Sequence, residues 1–308
     1  MDTGLKAATA TDKLQDTCDR RMAEANAANE PKEPLFHYTK EKALFSILDT
    51  GQFWFTSIYH MDDPEELNFG FEVACSSFDQ ASKRCKGLAR RFFQTLAQGA
   101  DREKVRELIA FYSVSFGLRD VEKQWIKYAD QGRGVALGLA PEFFQPVPFA
   151  DPKNPKPEEI VFYGKVFYGL GDGHVRHEKV VDGALAVIEQ VQRRGWLRSG
   201  EEAATFCHYL RMITYTEILW NCVTTKHETW KYQNEMRLLV FDSLKKPKLV
   251  VVNAGVKPRV ELPQPRLRKS IVEVMVGPKA DAATLRRVRD GLIARGLRNV
   301  PITEGKVS

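Results

Sequence analysis

The stretch LFHYTKEKALFSILDTGQFWFTSI, residues 35–58, decides the fold class. Its first five residues alternate as a short strand does, and residues 40–49 then carry apolar side chains at helical spacing. Gly51 predicts the end of that helix, because glycine tolerates the left-handed conformation of a helix C-terminus. FWFTS then alternates aromatic and polar positions as a second strand. A strand, a helix and a strand in so short a stretch indicate mixed α and β structure.

The same alternation continues to the end of the chain. The pattern predicts strands at 111–116, 134–140, 161–169, 235–241, 248–253, 271–277 and 298–302, and helices at 84–110, 179–194, 201–222 and 281–295. We predict an α+β fold with split mixed sheets, flanking helices and a helical insertion. Residues 1–32 lack aromatic residues and predict a mobile N-terminal tail or a frayed helix, so that residues 33–308 form a single α+β domain.

Composition limits the class of protein. Of 308 residues, 43% are hydrophobic, which is enough for a core and excludes a largely disordered chain. The sequence has neither an apolar run long enough to span a membrane nor a signal peptide. Its five cysteines are scattered and form no CxxC pair, which predicts reduced thiols. We expect a cytoplasmic protein, or one delivered into another cell by a route that needs no signal peptide.

Charge is concentrated in the C-terminal fifth of the chain. Residues 243–308 contain 15 Lys and Arg against 5 Asp and Glu, a net charge of +10, whereas the whole chain carries +6. This basic segment indicates either a solvated helix face or a surface that attracts nucleic acid weakly, through nonspecific phosphate contacts.

Two motifs contain the residue types that chemistry needs. In LFHYT, His37 and Thr39 lie on one face and Tyr38 on the other; in FWFTS, Trp54 and Thr56 share a face opposite Ser57. The carboxylate-rich turn DDPEE follows. A satisfied core histidine and a functional one remain open alternatives for the first strand.

The second motif is KHETWKYQNEMRLLVF, residues 226–241. Glu235 opens an otherwise apolar strand, with Gln233 and Arg237 two residues away on the same face. Burying a carboxylate is costly unless it is paired or functional, so Glu235 either pairs with Arg237 or faces a ligand.

Two groups of residues are considered as metal ligands. His174 and His177 have a spacing compatible with a metal, but no third ligand is evident and we predict no metal site. The carboxylates of Asp62, Asp63, Glu65 and Glu66 leave a metal-dependent nuclease as a further class.

Six stretches together resemble the bacterial family known as domain of unknown function 2971. They are LFHYT, FWFTS, DDPEE, WIKYADQGRGVALGL (125–139), KHETWKYQNEMRLLV (226–240) and VEVMVGPKA (272–280), in order from Leu35 to about Val300. The sequence departs from the family at Asp62, where asparagine is expected, and at Gln233, where an acid is frequent.

The layout also resembles an ADP-ribosyltransferase, with a histidine on the first strand, an aromatic–Thr–Ser on the second and a late strand opening with glutamate. That resemblance implies an ADP-ribosyltransferase-like fold with NAD as co-substrate, and it implies roles for individual residues. The implied catalytic residues are Glu235 and Gln233, and the implied NAD-binding residues are His37, Tyr38, Thr39, Trp54, Thr56, Ser57 and Arg237.

We therefore expect an NAD-dependent mono-ADP-ribosyltransferase that acts as a bacterial toxin or defence effector and modifies a protein or a nucleic acid. A neutralising partner protein would accompany such a role. The alternative is a non-catalytic module of the same fold that binds a nucleotide or nucleic acid.

Overall fold

The structure is a computed structural model that describes residues 3–61, 66–99, 102–145, 156–252 and 257–306. The helices are α1 (Thr3–Ala28), α2 (Glu41–Thr50), α3 (Glu66–Arg84), α4 (Gly87–Gly99), α5 (Arg102–Leu108), α6 (Glu122–Tyr128), α7 (Leu170–Arg193), α8 (Gly200–Val223), α9 (Leu267–Ser270) and α10 (Ala282–Ala294). The strands are β1 (Leu35–Thr39), β2 (Gln52–Ser57), β3 (Ile109–Phe116), β4 (Val135–Leu139), β5 (Phe162–Lys165), β6 (Phe167–Tyr168), β7 (Thr225–Lys226), β8 (Met236–Ser243), β9 (Val251–Val252), β10 (Arg259–Pro263), β11 (Ile271–Val276) and β12 (Ile302–Glu304). The predicted α+β class is confirmed.

The chain divides into two compact units, each built from separate segments. The helical unit contains α1, α3 to α5, α7 and α8, and the sheet unit contains the remaining helices with two β-sheets. Residues 33–308, predicted as one domain, therefore contribute to both units. Among the described residues, no helix is long and apolar enough to cross a membrane.

Two sheets form the sheet unit. A four-stranded sheet has the order β1-β4-β11-β12, in which only β11 and β12 run parallel, and a six-stranded antiparallel sheet has the order β5-β8-β3-β2-β10-β9. Apolar side chains from both sheets meet in one core, which includes Phe53 and Phe55 of β2, Phe116 of β3 and Leu137 of β4. We call the core-facing side of the six-stranded sheet its inner face.

The start of the sheet unit follows the sequence pattern closely. α2 buries Leu44, Ile47 and Leu48 on one side, and it ends at Gly51, whose φ of 67° lies in the left-handed region. The Gly51 amide donates to the Ile47 carbonyl and closes the helix. The predicted strand, helix and strand therefore have the expected boundaries to within a residue or two.

The helical unit packs α3, α7 and α8 around buried apolar side chains and adds the short parallel pair β6 and β7. α3 begins at the last residue of the predicted carboxylate-rich turn DDPEE and continues through residues for which the sequence predicted no helix. Asp62, Asp63 and Glu65 of that turn lie outside the described residues.

The N-terminal segment, predicted as a mobile tail or a frayed helix, forms the helix α1. α1 packs against α7 and α8; Leu14 and Cys18 are buried, and Arg21 pairs with Glu217 at 2.8 Å. These three residues, spaced by four and three, share one side of the helix, and this side makes the contacts.

We expect Leu14→Ala to lower the free energy of unfolding by about 2 kcal/mol or more, because it empties a buried leucine site. Asp16→Ala, on an exposed part of the same helix, should change it by less than about 0.5 kcal/mol. Chemical denaturation of both variants measures the difference. Equal stability of Leu14→Ala and the wild type would contradict the packing of α1.

Gly70 lies where α3 meets the end of α8. A Cβ atom at this position would lie 2.7 Å from the Cα of Cys222, so the two backbones have to separate. We expect Gly70→Ala to destabilise the protein by about 1–3 kcal/mol, the range for overpacking. Gly171→Ala in α7, where a Cβ meets open space, should instead stabilise it by up to about 1 kcal/mol. Melting curves of the two variants should therefore shift in opposite directions.

Candidate functional site

Glu235 lies immediately before β8, a strand paired on both sides by β5 and β3. Asn234 just before it has a φ of 37°, inside the left-handed region that asparagine tolerates better than most residues. This turn separates the 3₁₀ turn Glu228–Gln233 from β8. Backbone conformations of this kind cost energy and are enriched at functional sites.

The Glu235 side chain is buried and held from two sides. Arg237 Nε donates to its Oε1 at 2.6 Å, and Ser115 Oγ donates to the same oxygen at 2.5 Å. Glu235 is 3% exposed and Arg237 is 1% exposed. Of the two alternatives in the sequence, pairing with Arg237 is therefore present in the structure.

Polar side chains continue from this pair across neighbouring strands on the outer face of the six-stranded sheet. Arg237 of β8 lies opposite Ser115 of β3, and Ser113 lies opposite Thr56 of β2. Because side chains alternate along a strand, these residues share the face opposite the apolar core. We call Glu235, Arg237, Ser115, Ser113, Thr56 and Trp54 the polar strip.

The polar strip changes in exposure along its length. Ser113 is buried, and its hydroxyl has no hydrogen-bond partner among the residues that the structure describes. Trp54 at the other end is 40% exposed, and the Arg259 guanidinium lies 3.7 Å from its ring centre. The strip thus runs from a buried carboxylate to an accessible aromatic ring with a cation against it.

His37 lies apart from the strip side chains. Its ring packs against Phe53 and Phe116, which belong to the inner-face core, with ring centres 5.2 and 5.5 Å away. Nδ1 lies 3.0 Å from the Ser115 carbonyl oxygen and must carry a hydrogen there, because a carbonyl only accepts. Burial lowers the pKa of His37, and the hydrogen bond to Ser115 partly opposes this. Ser115 therefore links the two residues: its carbonyl accepts from His37, and its hydroxyl donates to Glu235.

Tyr38, Thr39 and Ser57, also predicted as site residues, lie away from the polar strip. Tyr38 is buried on the far side of β1, where its hydroxyl donates to the Leu118 carbonyl and accepts from the Val121 amide. Burial raises the pKa of that hydroxyl to about 12. Thr39 is buried, and the Ser57 hydroxyl lies 3.0 Å from Nδ1 of His60. The structure does not bring these three side chains to the polar strip.

Gln233 is fixed by helix α6. Gln124 donates to the Gln233 carbonyl, and the Gln233 amide donates to the Tyr128 hydroxyl, both at 3.0 Å. Gln124 and Tyr128 are four residues apart and share one side of α6. This helix therefore anchors the turn that presents Glu235.

Sequence reasoning did not identify Ser113, Ser115 or Gln124. The stretch FYSVSF contained the relevant signal, since two serines alternate with apolar residues in a buried strand. Their position beside Glu235 depends on the pairing of β3 with β8, which local sequence does not specify.

Part of the basic C-terminal charge is paired. Arg287 pairs with Glu41 and Arg295 pairs with Asp49, at 2.8 and 2.7 Å, and Arg259 pairs with Glu261. These ion pairs reduce the charge that the segment presents to nucleic acid.

The two histidines considered as metal ligands have different surroundings. His174 Nδ1 lies 2.7 Å from the Ser77 hydroxyl, whereas His177 is fully buried with both ring nitrogens unpartnered within the described part of the chain. Burial lowers the pKa of His177 to about 3. The described residues contain no group of three or more His, Cys, Asp or Glu side chains that could hold a metal ion.

The fold and the strip define a mixed α+β protein with a buried carboxylate at the start of a central strand. Residues 124–238 match the model of the family described as "Protein of unknown function (DUF2971)". The match begins at Gln124 and includes Gln233, Glu235 and Arg237, so it supports the family resemblance over this segment. Comparison with curated proteins and with solved structures finds no match to the chain.

The buried state of His177 predicts a loss of stability in acid. Its pKa is lowered in the folded protein, so the unfolded chain binds protons more readily below pH of about 6.5. Stability therefore falls as the pH decreases from there towards 3, by at most about 1.4 kcal/mol per pH unit from this residue. His37, whose pKa is also lowered, adds a loss of the same sign.

Urea unfolding at pH 7 and 5.5 should show a smaller loss of stability for His177→Leu than for the wild type. His208→Gln, at an exposed histidine of the same unit, is the matched control. Identical pH dependence in His177→Leu and the wild type would show that His177 is not buried in its neutral form.

Proposed function

We propose that the chain is an NAD-dependent mono-ADP-ribosyltransferase in which Glu235 is the catalytic carboxylate. The main support is the fixed position of Glu235 at the buried end of the polar strip, where Arg237 donates to both carboxylate oxygens and Ser115 donates to one of them. Gln233 lies two residues before Glu235, as in the Gln-x-Glu motif of some transferases. The acceptor is a protein or a nucleic acid, and a toxin or defence role is part of the same proposal.

The chemistry needs a negative charge that does not move. Departure of nicotinamide from NAD builds positive charge on the ribose, and a preoriented carboxylate stabilises that charge electrostatically. The same carboxylate can accept the proton of the incoming nucleophile. Arg237 and Ser115 fix the Glu235 carboxylate before the reaction, so the carboxylate does not have to move as charge develops on the ribose.

Several strip residues suit a sugar and a ring as ligands. The Ser113 hydroxyl, which has no hydrogen-bond partner among the described residues, can hydrogen-bond a ribose hydroxyl, and the exposed Trp54 ring can stack on a planar base. His37 acts as a positioning residue through the Ser115 carbonyl. The proposal gives no NAD contact to Tyr38, Thr39 or Ser57, because their side chains are away from the strip.

A non-catalytic nucleotide- or nucleic-acid-binding module is the second candidate. The observation that favours it is the burial of Glu235, which is 3% exposed and balanced by a buried arginine. In that case the pair stabilises β8, and ligands bind at Trp54 and Arg259 alone.

Glu235→Gln separates the two functions, because it keeps the side-chain shape and removes the charge. For the transferase we expect nicotinamide release from NAD to fall by roughly 10²–10³-fold, the scale of losing one electrostatic stabiliser. NAD affinity should change little, since the charge acts chiefly in the transition state. Release is measured by chromatography, affinity by calorimetry and folding by a melting curve on the same preparation.

Glu273→Gln is the matched control. Glu273 belongs to β11 of the four-stranded sheet and also pairs with an arginine, Arg119, at 2.7 Å. The variant should retain wild-type nicotinamide release. Full activity of folded Glu235→Gln would falsify the catalytic assignment. NAD binding without release by the wild type would support the binding module instead.

A further inference from the structure

A cavity of about 320 Å³ lies between α4 and α8, entirely within the helical unit. Its volume is within the range of small-molecule sites, at the lower end. The polar strip belongs to the other unit, so this cavity is independent of the proposed transferase chemistry.

The space exists because α8 presents small side chains to α4. Gly200, Ala203, Ala204 and Cys207 line the cavity and recur at helical spacing on one side of α8. The α4 wall includes Leu88 and Phe92, both buried apolar residues. The cavity therefore has apolar residues on both helices, which a ligand's hydrocarbon portion can contact.

Cationic groups from both helices line the same cavity. Arg91 of α4 and Arg211 of α8 contribute guanidinium groups, and Arg211 Nη2 lies 3.3 Å from Nδ1 of the exposed His208. Neither arginine pairs with a carboxylate anywhere in the described ranges, and no Asp or Glu lines the cavity. Arg21 and Arg84 of the same unit, in contrast, pair with Glu217 and Glu178.

Cys207 lines the same cavity as Arg91 and Arg211. Burial raises the pKa of its thiol, and the positive charges of Arg91 and Arg211 both oppose that rise. Two guanidinium groups that line one cavity, neither paired with a carboxylate within the described part of the chain, favour an anion, since guanidinium binds carboxylate and phosphate strongly.

We propose that the α4–α8 cavity binds a small amphipathic organic anion, with its hydrocarbon portion against Phe92 and its carboxylate or phosphate between Arg91 and Arg211. An inorganic anion alone would leave the apolar wall in contact with water. A neutral apolar molecule would leave both guanidinium groups without a counter-charge.

Calorimetric titration of the full chain tests the proposal with four probes. Octanoate and octyl phosphate carry both required features and distinguish a carboxylate from a phosphate head group, whereas octanol lacks the charge and inorganic phosphate lacks the chain. We expect at least one charged octyl probe to bind at least about tenfold more tightly than octanol and inorganic phosphate.

Variants locate the binding. Arg91→Gln and Arg211→Gln should each weaken the preferred probe by about tenfold or more, the effect of losing one charge-assisted contact. Ala203→Leu should weaken it by filling the cavity. Arg90→Gln, at the exposed neighbouring arginine that does not line the cavity, should bind as the wild type does.

Alkylation of cysteines gives a second readout that does not depend on heat of binding. The bound probe should slow maleimide modification of Cys207, measured by mass spectrometry, and leave Cys85 outside the cavity unaffected. The proposal is overturned if neither octyl anion binds below a Kd on the order of 1 mM. Equal affinity for octanol, or equal weakening by Arg90→Gln and Arg91→Gln, also overturns it.

Discussion

The buried ion pair between Arg237 and Glu235 is the constraint on which the sheet unit depends. A guanidinium that is 1% exposed is tolerated only if a counter-charge and hydrogen bonds replace water. Glu235 supplies both from the residue just before β8, and Ser115 extends the contact to β3. Because β8 lies between β5 and β3, the pair also fixes the end of the strand around which the six-stranded sheet is arranged.

Because side chains alternate between the two faces of a strand, one face of the six-stranded sheet contributes to the apolar core and the other carries the polar strip. Phe116 and Ser115 are consecutive residues of β3, yet one belongs to the apolar core and the other contacts Glu235. His37 reaches the polar strip only through a backbone carbonyl because its ring lies on the core side. A histidine of this kind influences the site by holding β3 in place.

Local sequence predicted features that depend on local physics. The end of α2 at Gly51, and the shared face of Glu235 and Arg237, follow from backbone preference and a period of two. The contact of Ser115 with Glu235 depends on pairing between residues 120 positions apart, which no local pattern encodes. The strand β10 was missed for a similar reason: RVELP is short, contains proline and is a strand because it pairs with β2 and β9. α3 was missed because its start follows a turn-like run of carboxylates and proline.

The division of the chain into interleaved segments determines when the sheet unit can form during synthesis. β2 is made early, but its antiparallel partner β10 follows only at residues 259–263. Until then, one edge of β2 has unpaired backbone groups beside an exposed tryptophan, which is a template for incorrect pairing with other chains. Apart from α1, which precedes β2, the helices of the other unit are synthesised between these two strands and can pack first. Folding of the six-stranded sheet is therefore limited by long-range closure, a property associated with slow folding and aggregation-prone intermediates.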